Sequence, residues 1–175
     1  HTVVEAALGA DMVALGESKE LAEKGFLTSS CCPAFVMYVQ SAFPELAPYV
    51  SHNLSPMATI AKYIKENDEN SKIVFIGPCT AKKSEVQLDS VKPYVDAAMT
   101  FEELQALFDS RDMDITSLEE GVLDNASYYG RIFARCGGLA DAVAEALKEQ
   151  GISSDFELKA ISCDGIEACR MALLK

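Results

Sequence analysis

Two short stretches of the sequence place cysteine beside proline. Residues 29–33 read SSCCP, residues 77–85 read GPCTAKKSE, and each stretch follows a short apolar run. Adjacent cysteines are poor disulfide partners, because a bridge between them strains the intervening peptide. Cys31 and Cys32 are therefore predicted to be two thiols with separate roles, and Cys79 adds a third thiol.

Metal binding is one interpretation of these thiols. Cys32 and Cys79 are predicted to follow separate strand ends, and cysteine thiolates hold zinc and iron–sulfur clusters, usually four at a time. With two candidates, the predicted ligand set is incomplete. The alternative for Cys79 is an ordinary small core residue. The neighbouring prolines and Lys82 favour the metal interpretation.

A lysine and a glutamate follow Cys79 at intervals of three residues. If a helical turn forms there, Cys79, Lys82 and Glu85 share one face. A buried lysine can donate hydrogen bonds to an anionic ligand, and a partly buried glutamate can carry protons because burial disfavours its charged form. Exposed surface charges are the alternative for both, and the preferred interpretation of Lys83.

Three further features of the sequence could form ligand sites. Paired glycines at Gly137 and Gly138 permit close approach of the backbone to a ligand and precede a predicted helix, whose N-terminal amides favour anions. A plain packing turn explains them equally well. Cys163 and Cys169 are interpreted as ordinary thiols rather than a chelating pair, and the loop histidine His52 as structural.

Composition indicates one ordinary globular domain. The chain has 175 residues, 49% of them hydrophobic, and its net charge of −12 argues against nucleic acid or an anionic membrane surface as partner. No apolar run approaches the roughly 20 residues of a membrane span. Six cysteines are too few for a disulfide scaffold of this length, which favours a reducing, cytoplasmic location.

The elements that must carry these residues alternate between strands and helices. Short apolar runs predict strands at residues 12–15, 72–76, 94–99 and 156–161. Helix-forming runs with capping residues predict helices at residues 17–24, 33–43, 55–66, 100–108, 137–150 and 165–174. The predicted class is α/β, with a mainly parallel sheet flanked by helices. Both cysteine loops are expected beyond the carboxyl ends of its strands, where sites gather in such sheets.

The two cysteine stretches resemble the first two signature motifs of the [FeFe]-hydrogenase catalytic domain, which binds the H-cluster. The similar segments are residues 9–21, 29–35, 44–56 and 77–85 and the Gly137–Gly138 helix start. The resemblance covers essentially the whole chain. It implies an iron-only hydrogenase large-subunit fold, with residues 1–175 forming part of an H-cluster domain.

The resemblance implies a cofactor-binding set. Cys32 and Cys79 would be thiolate ligands of the [4Fe-4S] part of the H-cluster. Lys82 would hydrogen-bond a cyanide ligand on one iron of the di-iron part. The remaining members of the set would be Pro78, Gly137 and Gly138.

The resemblance also implies a set of catalytic residues. Cys31 would exchange protons with the di-iron part of the cluster, with Lys82 beside it. Glu85, Ser51 and Glu20 would continue the proton path outward. Thiols, hydroxyls and carboxyls can pass protons in this way if water or side chains bridge the gaps.

Three departures from the family pattern set further expectations. Phe35 stands where tryptophan is usual in the family. Gly77 stands where methionine is usual, and its lack of a side chain is expected to loosen the di-iron pocket. The chain ends at Lys175, before a third motif that supplies two more cluster cysteines; Cys163 and Cys169 do not match that motif. We therefore expect a piece of a longer protein that binds no cluster by itself.

Three functional hypotheses follow. The first is a protein that interconverts protons and hydrogen, or senses hydrogen, with electrons exchanged with a ferredoxin-like domain or partner. The second is a non-catalytic hydrogenase-like protein of cytosolic iron–sulfur assembly, which has no need of a proton relay. The third is a thiol protein or interaction module that binds no metal. Retention of Cys31, Glu85, Ser51 and Glu20 favours the first.

Overall fold

The chain folds into eight described α-helices and a short two-stranded parallel sheet. A computed structural model describes residues 2–152, 158–161 and 163–174. Its helices are α1 Ala6–Lys24, α2 Pro33–Ala42, α3 Pro56–Asn67, α4 Ala81–Glu85, α5 Phe101–Asp109, α6 Tyr128–Ile132, α7 Gly138–Glu149 and α8 Gly165–Leu173. The strands are β1 Val74–Ile76 and β2 Ala97–Met99, and short 3₁₀ turns cover Pro44–Tyr49 and Ile115–Ser117. The α/β class predicted from the sequence is confirmed.

The first helix is longer than the sequence predicted. The expected strand at residues 12–15 is wrong, because these residues lie inside α1. Buried positions at Val13, Glu17 and Leu21 recur every four residues, which is the period of one helix face rather than of a strand. The predicted stop is confirmed: Gly25 adopts φ 74° and its amide donates to the carbonyl of Leu21.

The sheet has parallel pairing but an open face. Val74 of β1 pairs with Ala97 of β2, and Ile76 with Met99. Strand β1 is not buried, although its apolar residues are typical of a buried parallel strand: Val74 is 48% exposed and Ile76 42%. Among residues 158–161 no strand forms, and the rest of the strand predicted at 156–161 lies outside the described residues.

Sequence signals for the later helices are confirmed at their caps. The Ser55 hydroxyl accepts a hydrogen bond from the amide of Ala58 at the start of α3. Thr100 and Glu103 form a reciprocal capping box at the start of α5. The two helices therefore begin at the residues that the pattern indicated.

Helix α1 is the centre of the packing. It lies against α3, α6 and α7, and Gly9 permits its approach to α3, because a Cβ there would collide with the carbonyl oxygen of Pro56. One buried apolar cluster joins α1 to α6 and α7 and consists of Ala10, Val13, Ala14, Phe133, Ala142 and Ala146. Among the described helices, none has the length and apolar content that crossing a membrane requires.

Candidate functional site

The first cysteine loop begins where two extended segments meet. Thr28 forms a parallel bridge with Val50, through a hydrogen bond from the Ser51 amide to the Thr28 carbonyl (2.7 Å). The chain then turns through Cys31 and Cys32 into α2. Cys31 is half-buried against the α1–α6–α7 cluster, whereas Cys32 is exposed. The two adjacent thiols therefore face different surroundings, and their separate roles stay a prediction.

The second cysteine loop follows strand β1. The Gly77 amide donates to the carbonyl of Met99 (3.0 Å), which extends the pairing of the two strands by one residue. Pro78 and Cys79 come next and are both exposed. Helix α4 starts two residues later and carries Lys82 into the protein. Cys79 thus lies just beyond the carboxyl end of a strand, as predicted.

Lys82 joins the two loops. Its Nζ donates to the carbonyl oxygen of Cys31 (3.0 Å) and to Oε2 of Glu85 (2.6 Å). The side chains of Lys82 and Glu85 are only 14% and 6% exposed, so the ion pair is largely buried. The hydrogen bond to a cyanide ligand that the resemblance implies for Lys82 stays a prediction. Glu85 is turned toward Lys82, and the hydrogen bonds of the described residues do not connect it with Ser51 or Glu20.

A carboxylate that the sequence reasoning missed lies beside Cys31. Glu17 of α1 is 1% exposed, and the Ser29 hydroxyl donates to its Oε1 (2.8 Å). The same hydroxyl accepts a hydrogen bond from the Cys31 amide (3.2 Å). A signal was present in the sequence: Glu17 occupies a core position of the helical stripe and stands three residues before Glu20, on the same helix face.

Burial shifts the ionisation of both inner groups. Burial raises the pKa of Glu17, and hydrogen bonds from Ser29, the Ser30 amide and Ser51 offset part of that rise. Burial also raises the pKa of the Cys31 thiol, and the charge of Glu17 contributes to that rise. Both groups therefore hold their protons to higher pH than they would in water.

The outer carboxylate, Glu20, has a different environment. Its Oε2 accepts hydrogen bonds from Ser51 (3.0 Å) and Asn53 (2.9 Å), and its Oε1 lies 2.7 Å from both Lys24 Nζ and His52 Nδ1. Burial alone would raise the pKa of Glu20. The hydrogen bonds from Lys24, the His52 amide and Ser51 outweigh it and lower that pKa to about 2.

Together these residues form a row of polar neighbours from the half-buried Cys31 to the surface, here called the polar series. Its members, from the inside outward, are Cys31, Ser29, Glu17, Ser51, Glu20 and His52. Hydrogen bonds link the Cys31 amide with Ser29, Ser29 with Glu17, Ser51 with Glu20, and Glu20 with His52. Ser51 lies near Glu17, since it lowers the pKa of that carboxyl. Acid groups alternate with hydroxyls along it, so the arrangement can move protons between the protein interior and water.

The glycine turn before α7 has a packing explanation. Gly137 adopts φ 79°, a left-handed conformation that glycine enters without steric cost. A Cβ at Gly138 would collide with the carbonyl oxygen of Ile132. Of the two interpretations left open by the sequence, the packing turn accounts for both glycines. Their assignment to the cofactor-binding set stays a prediction.

Gly77 stands at the position where the resemblance predicts methionine, and the ring of Phe75 fills the space beside it. A Cβ at Gly77 would meet the ring of Phe75 at 2.7 Å. The aromatic side chain of Phe75 thus occupies the position into which a side chain at residue 77 would begin to extend.

The thiols differ in their neighbours. No group of three or more His, Cys, Asp and Glu side chains is placed for metal binding within residues 2–152, 158–161 and 163–174. In the middle of α8, burial raises the pKa of Cys169, and the neighbouring thiol of Cys163 contributes to that rise. Cys32 of the first cysteine loop also contributes to it.

Comparison with known families assigns the chain. A sequence model described as the C-terminal domain of the iron-only hydrogenase large subunit matches residues 1–174. The chain belongs to this family. The resemblance recognised in the two cysteine motifs is thereby confirmed.

The curated relatives of this hydrogenase-family chain fall into two groups. Iron hydrogenase 1 of Clostridium pasteurianum is 27% identical over 172 residues, which cover 85% of this chain and 30% of that protein. The cytosolic Fe-S cluster assembly factor NAR1 of Eremothecium gossypii is 32% identical over 103 residues, covering 59% of this chain and 23% of the relative. The chain thus spans less than a third of the length of either relative.

The fold of this hydrogenase-family chain also matches solved structures. The apo [FeFe]-hydrogenase HydA1 from Chlamydomonas reinhardtii superimposes with a TM-score of 0.67 at 27% identity, covering 94% of this chain and 47% of the other. A second [FeFe]-hydrogenase structure, described as showing that oxygen inactivation starts at the 2Fe subcluster of the H cluster, superimposes with a TM-score of 0.70 at 26% identity. The described helices and sheet therefore correspond to about half of a hydrogenase chain.

Proposed function

We propose that the protein carrying this chain interconverts protons and hydrogen, or senses hydrogen, at an H-cluster. The observation that carries the proposal is the polar series, which leads from Cys31 to the exposed ring of His52. A metal site whose only task is structural has no need of a buried acid beside it. A site that consumes or releases protons does need one.

The chemistry of the cysteine loops fits such a cofactor in part. Cys32 and Cys79 supply exposed thiols, the ligand type of iron–sulfur clusters, and the cation of Lys82 lies beside Cys31. When bound, the cluster supplies the redox chemistry of hydrogen, and the protein supplies position and proton supply. Two further ligands are required of the whole protein, since iron–sulfur clusters of this type are held by four.

The chain's own residues handle protons in two stages. Inside, the raised pKa of Glu17 lets this carboxyl hold a proton closer to neutral pH, and the Ser29 hydroxyl connects it with the Cys31 backbone. Outside, Glu20 remains a carboxylate fixed by Ser51 and its neighbours. The two carboxyls therefore have different tasks: the inner one stores protons and the outer one passes them to the surface.

A second candidate function is iron–sulfur cluster assembly without hydrogen chemistry. The NAR1 relatives favour it, because the factor from Eremothecium gossypii is 32% identical over 59% of the chain, compared with 27% over 85% for the hydrogenase of Clostridium pasteurianum. In the hydrogenase proposal, the protein exchanges electrons with a ferredoxin-like domain or partner. Both proposals place the protein in the cytoplasm. A thiol protein that binds no metal remains the third alternative.

The test uses the whole protein, produced anaerobically with the hydrogenase maturation machinery. Iron content and hydrogen turnover are measured for wild type, Cys31→Ser and Cys32→Ser. We expect Cys31→Ser to keep its iron and lose turnover, and Cys32→Ser to lose both. A wild type that holds a four-iron cluster but shows neither turnover nor a response to hydrogen would favour the assembly function. Loss of iron in Cys31→Ser alone would mean that the roles of the two thiols are exchanged.

A further inference from the structure

Three polar atoms converge at the outer end of the polar series. Nδ1 of His52 and Nζ of Lys24 each lie 2.7 Å from Oε1 of Glu20, and they are 3.2 Å from each other. The His52 side chain is 77% exposed, while that of Glu20 is 13% exposed. The imidazole is thus the point at which the series meets water.

The short distance between His52 Nδ1 and Glu20 Oε1 requires that one of the two atoms carry a proton. Two lone pairs cannot face each other at 2.7 Å, so either the imidazole donates to the carboxylate or the carboxyl donates to the imidazole. The ammonium of Lys24 donates to the same oxygen and stabilises its charge. The proton shared by the pair therefore resides on the ring.

Glu20 by itself is a poor store of protons. With a pKa of about 2, only about one carboxyl in 10⁵ holds a proton at pH 7. The ring of His52 contacts Glu20 through Nδ1 while most of its surface faces water. Its two nitrogens therefore let it take a proton from water on one side and pass one to Glu20 on the other.

The surroundings leave this ring open to small molecules. A surface cavity of about 380 Å³ adjoins it, and the charged side chains lining it are Lys19, Glu20, Glu23 and Lys24. Two cations and two anions balance there. The cavity can therefore admit water or a buffer molecule of either charge.

We propose that His52 is the proton port of this chain, the residue that exchanges protons between bulk water and Glu20. The inference rests on the proposed function. It concerns a residue that the sequence gave no reason to include, since a loop histidine without a partner motif is usually structural.

The test compares His52→Asn with wild type in the matured whole protein. We expect His52→Asn to keep its iron and to turn over hydrogen about tenfold more slowly, because protons must then reach Glu20 from dilute hydronium ions. Added imidazole is expected to restore most of the loss by entering the cavity. Glu45→Gln, which alters an exposed side chain on the segment before Ser51, serves as the control and should match wild type without imidazole.

A second readout does not depend on turnover. The ¹⁵N spectrum of the imidazole, identified by its loss in His52→Asn, is expected to show a protonated Nδ1 held in a hydrogen bond. Glu20→Gln should release that bond, while Glu45→Gln should leave it intact. The proposal would be overturned by a spectrum in which Nδ1 carries no proton, or by an Nδ1 signal that Glu20→Gln leaves unchanged.

The outcomes separate the two proposals. A wild type that turns over hydrogen beside an equally fast His52→Asn variant overturns the port and leaves the proposed function standing. A matured wild type without turnover or a response to hydrogen contradicts the proposed function, and the port with it. A slow His52→Asn variant that imidazole restores supports both.

Discussion

The buried carboxyl of Glu17 offers the sharpest perturbation of the proposed proton path. Glu17→Gln keeps the size of the side chain and retains an oxygen that can accept the hydrogen bond from Ser29, now 2.8 Å long. It removes the ability to gain and release a proton. Along the polar series, Glu17 is the acid between the Cys31 thiol and Glu20, and the two hydroxyls beside it can pass protons but cannot store them.

The expected loss follows from that position. A positioned acid or base contributes about 10²–10⁴-fold to a proton transfer, so we expect turnover to fall by at least about 100-fold. A factor of 100 corresponds to about 2.7 kcal/mol in the activation barrier. Since Glu17 lies on α1 and not on either cysteine loop, the iron content should not change.

The assay measures hydrogen evolution with a chemical reductant in the matured whole protein, with iron content determined on the same sample. Glu45→Gln is the control, because it removes one exposed carboxyl and leaves the polar series intact. A Glu17→Gln variant that holds its iron and turns over within about threefold of wild type would refute the reasoning.

The same substitution has a signature in stability, independent of turnover. The pKa of Glu17 is raised in the folded protein, so its proton is bound more tightly there than in the unfolded chain. Wild type should therefore lose stability relative to Glu17→Gln as the pH rises above about 4.5, by at most about 1.4 kcal/mol per pH unit. Urea unfolding at several pH values measures this, and a difference that stays constant with pH would contradict the burial of the charge.

Two further predictions concern the packing that supports the site. Lys82→Met should lower the free energy of unfolding by about 3 kcal/mol, because it leaves the buried carboxylate of Glu85 without its partner. Lys83→Met breaks an exposed ion pair and should cost no more than about 1 kcal/mol; equal losses in urea unfolding would contradict the burial of the first pair. Gly9→Ala should destabilise the protein by about 1–3 kcal/mol, because the added methyl collides with the backbone at the start of α3. Gly121→Ala, which meets open space, should leave the melting temperature unchanged, and a similar result for Gly9→Ala would mean that α1 and α3 are less closely packed.

The sequence was sufficient for the parts of the fold that depend on local signals. Capping residues at Ser55 and Thr100 located the starts of α3 and α5, and Gly25 located the end of α1. The strand predicted at residues 12–15 failed because a run of four apolar residues has no clear period. Only the packing of α1 against three other helices shows which period applies.

The site was predictable to the extent that its residues lie in motifs. The motifs indicated Cys31, Cys32, Cys79 and Lys82, and the structure brings Lys82 to the Cys31 carbonyl. Spacing could not show which way Glu85 turns, since both a proton role and an ion pair fit residues three apart.

The rest of the site depends on contacts between residues that are far apart in the sequence. Ser29 and Glu17 are twelve residues apart, and Glu20 and His52 are thirty-two apart. Neither pair forms a local pattern. Such contacts arise when α1 packs beside the first cysteine loop, which no single stretch of sequence specifies.

The most direct test of the central claim is an infrared spectrum of the whole protein, matured anaerobically and then exposed to hydrogen. We expect bands from iron-bound carbon monoxide and cyanide, which shift when hydrogen is admitted. A folded, iron-loaded protein that lacks these bands after maturation would contradict the assignment of the Cys31 and Lys82 site to hydrogen chemistry.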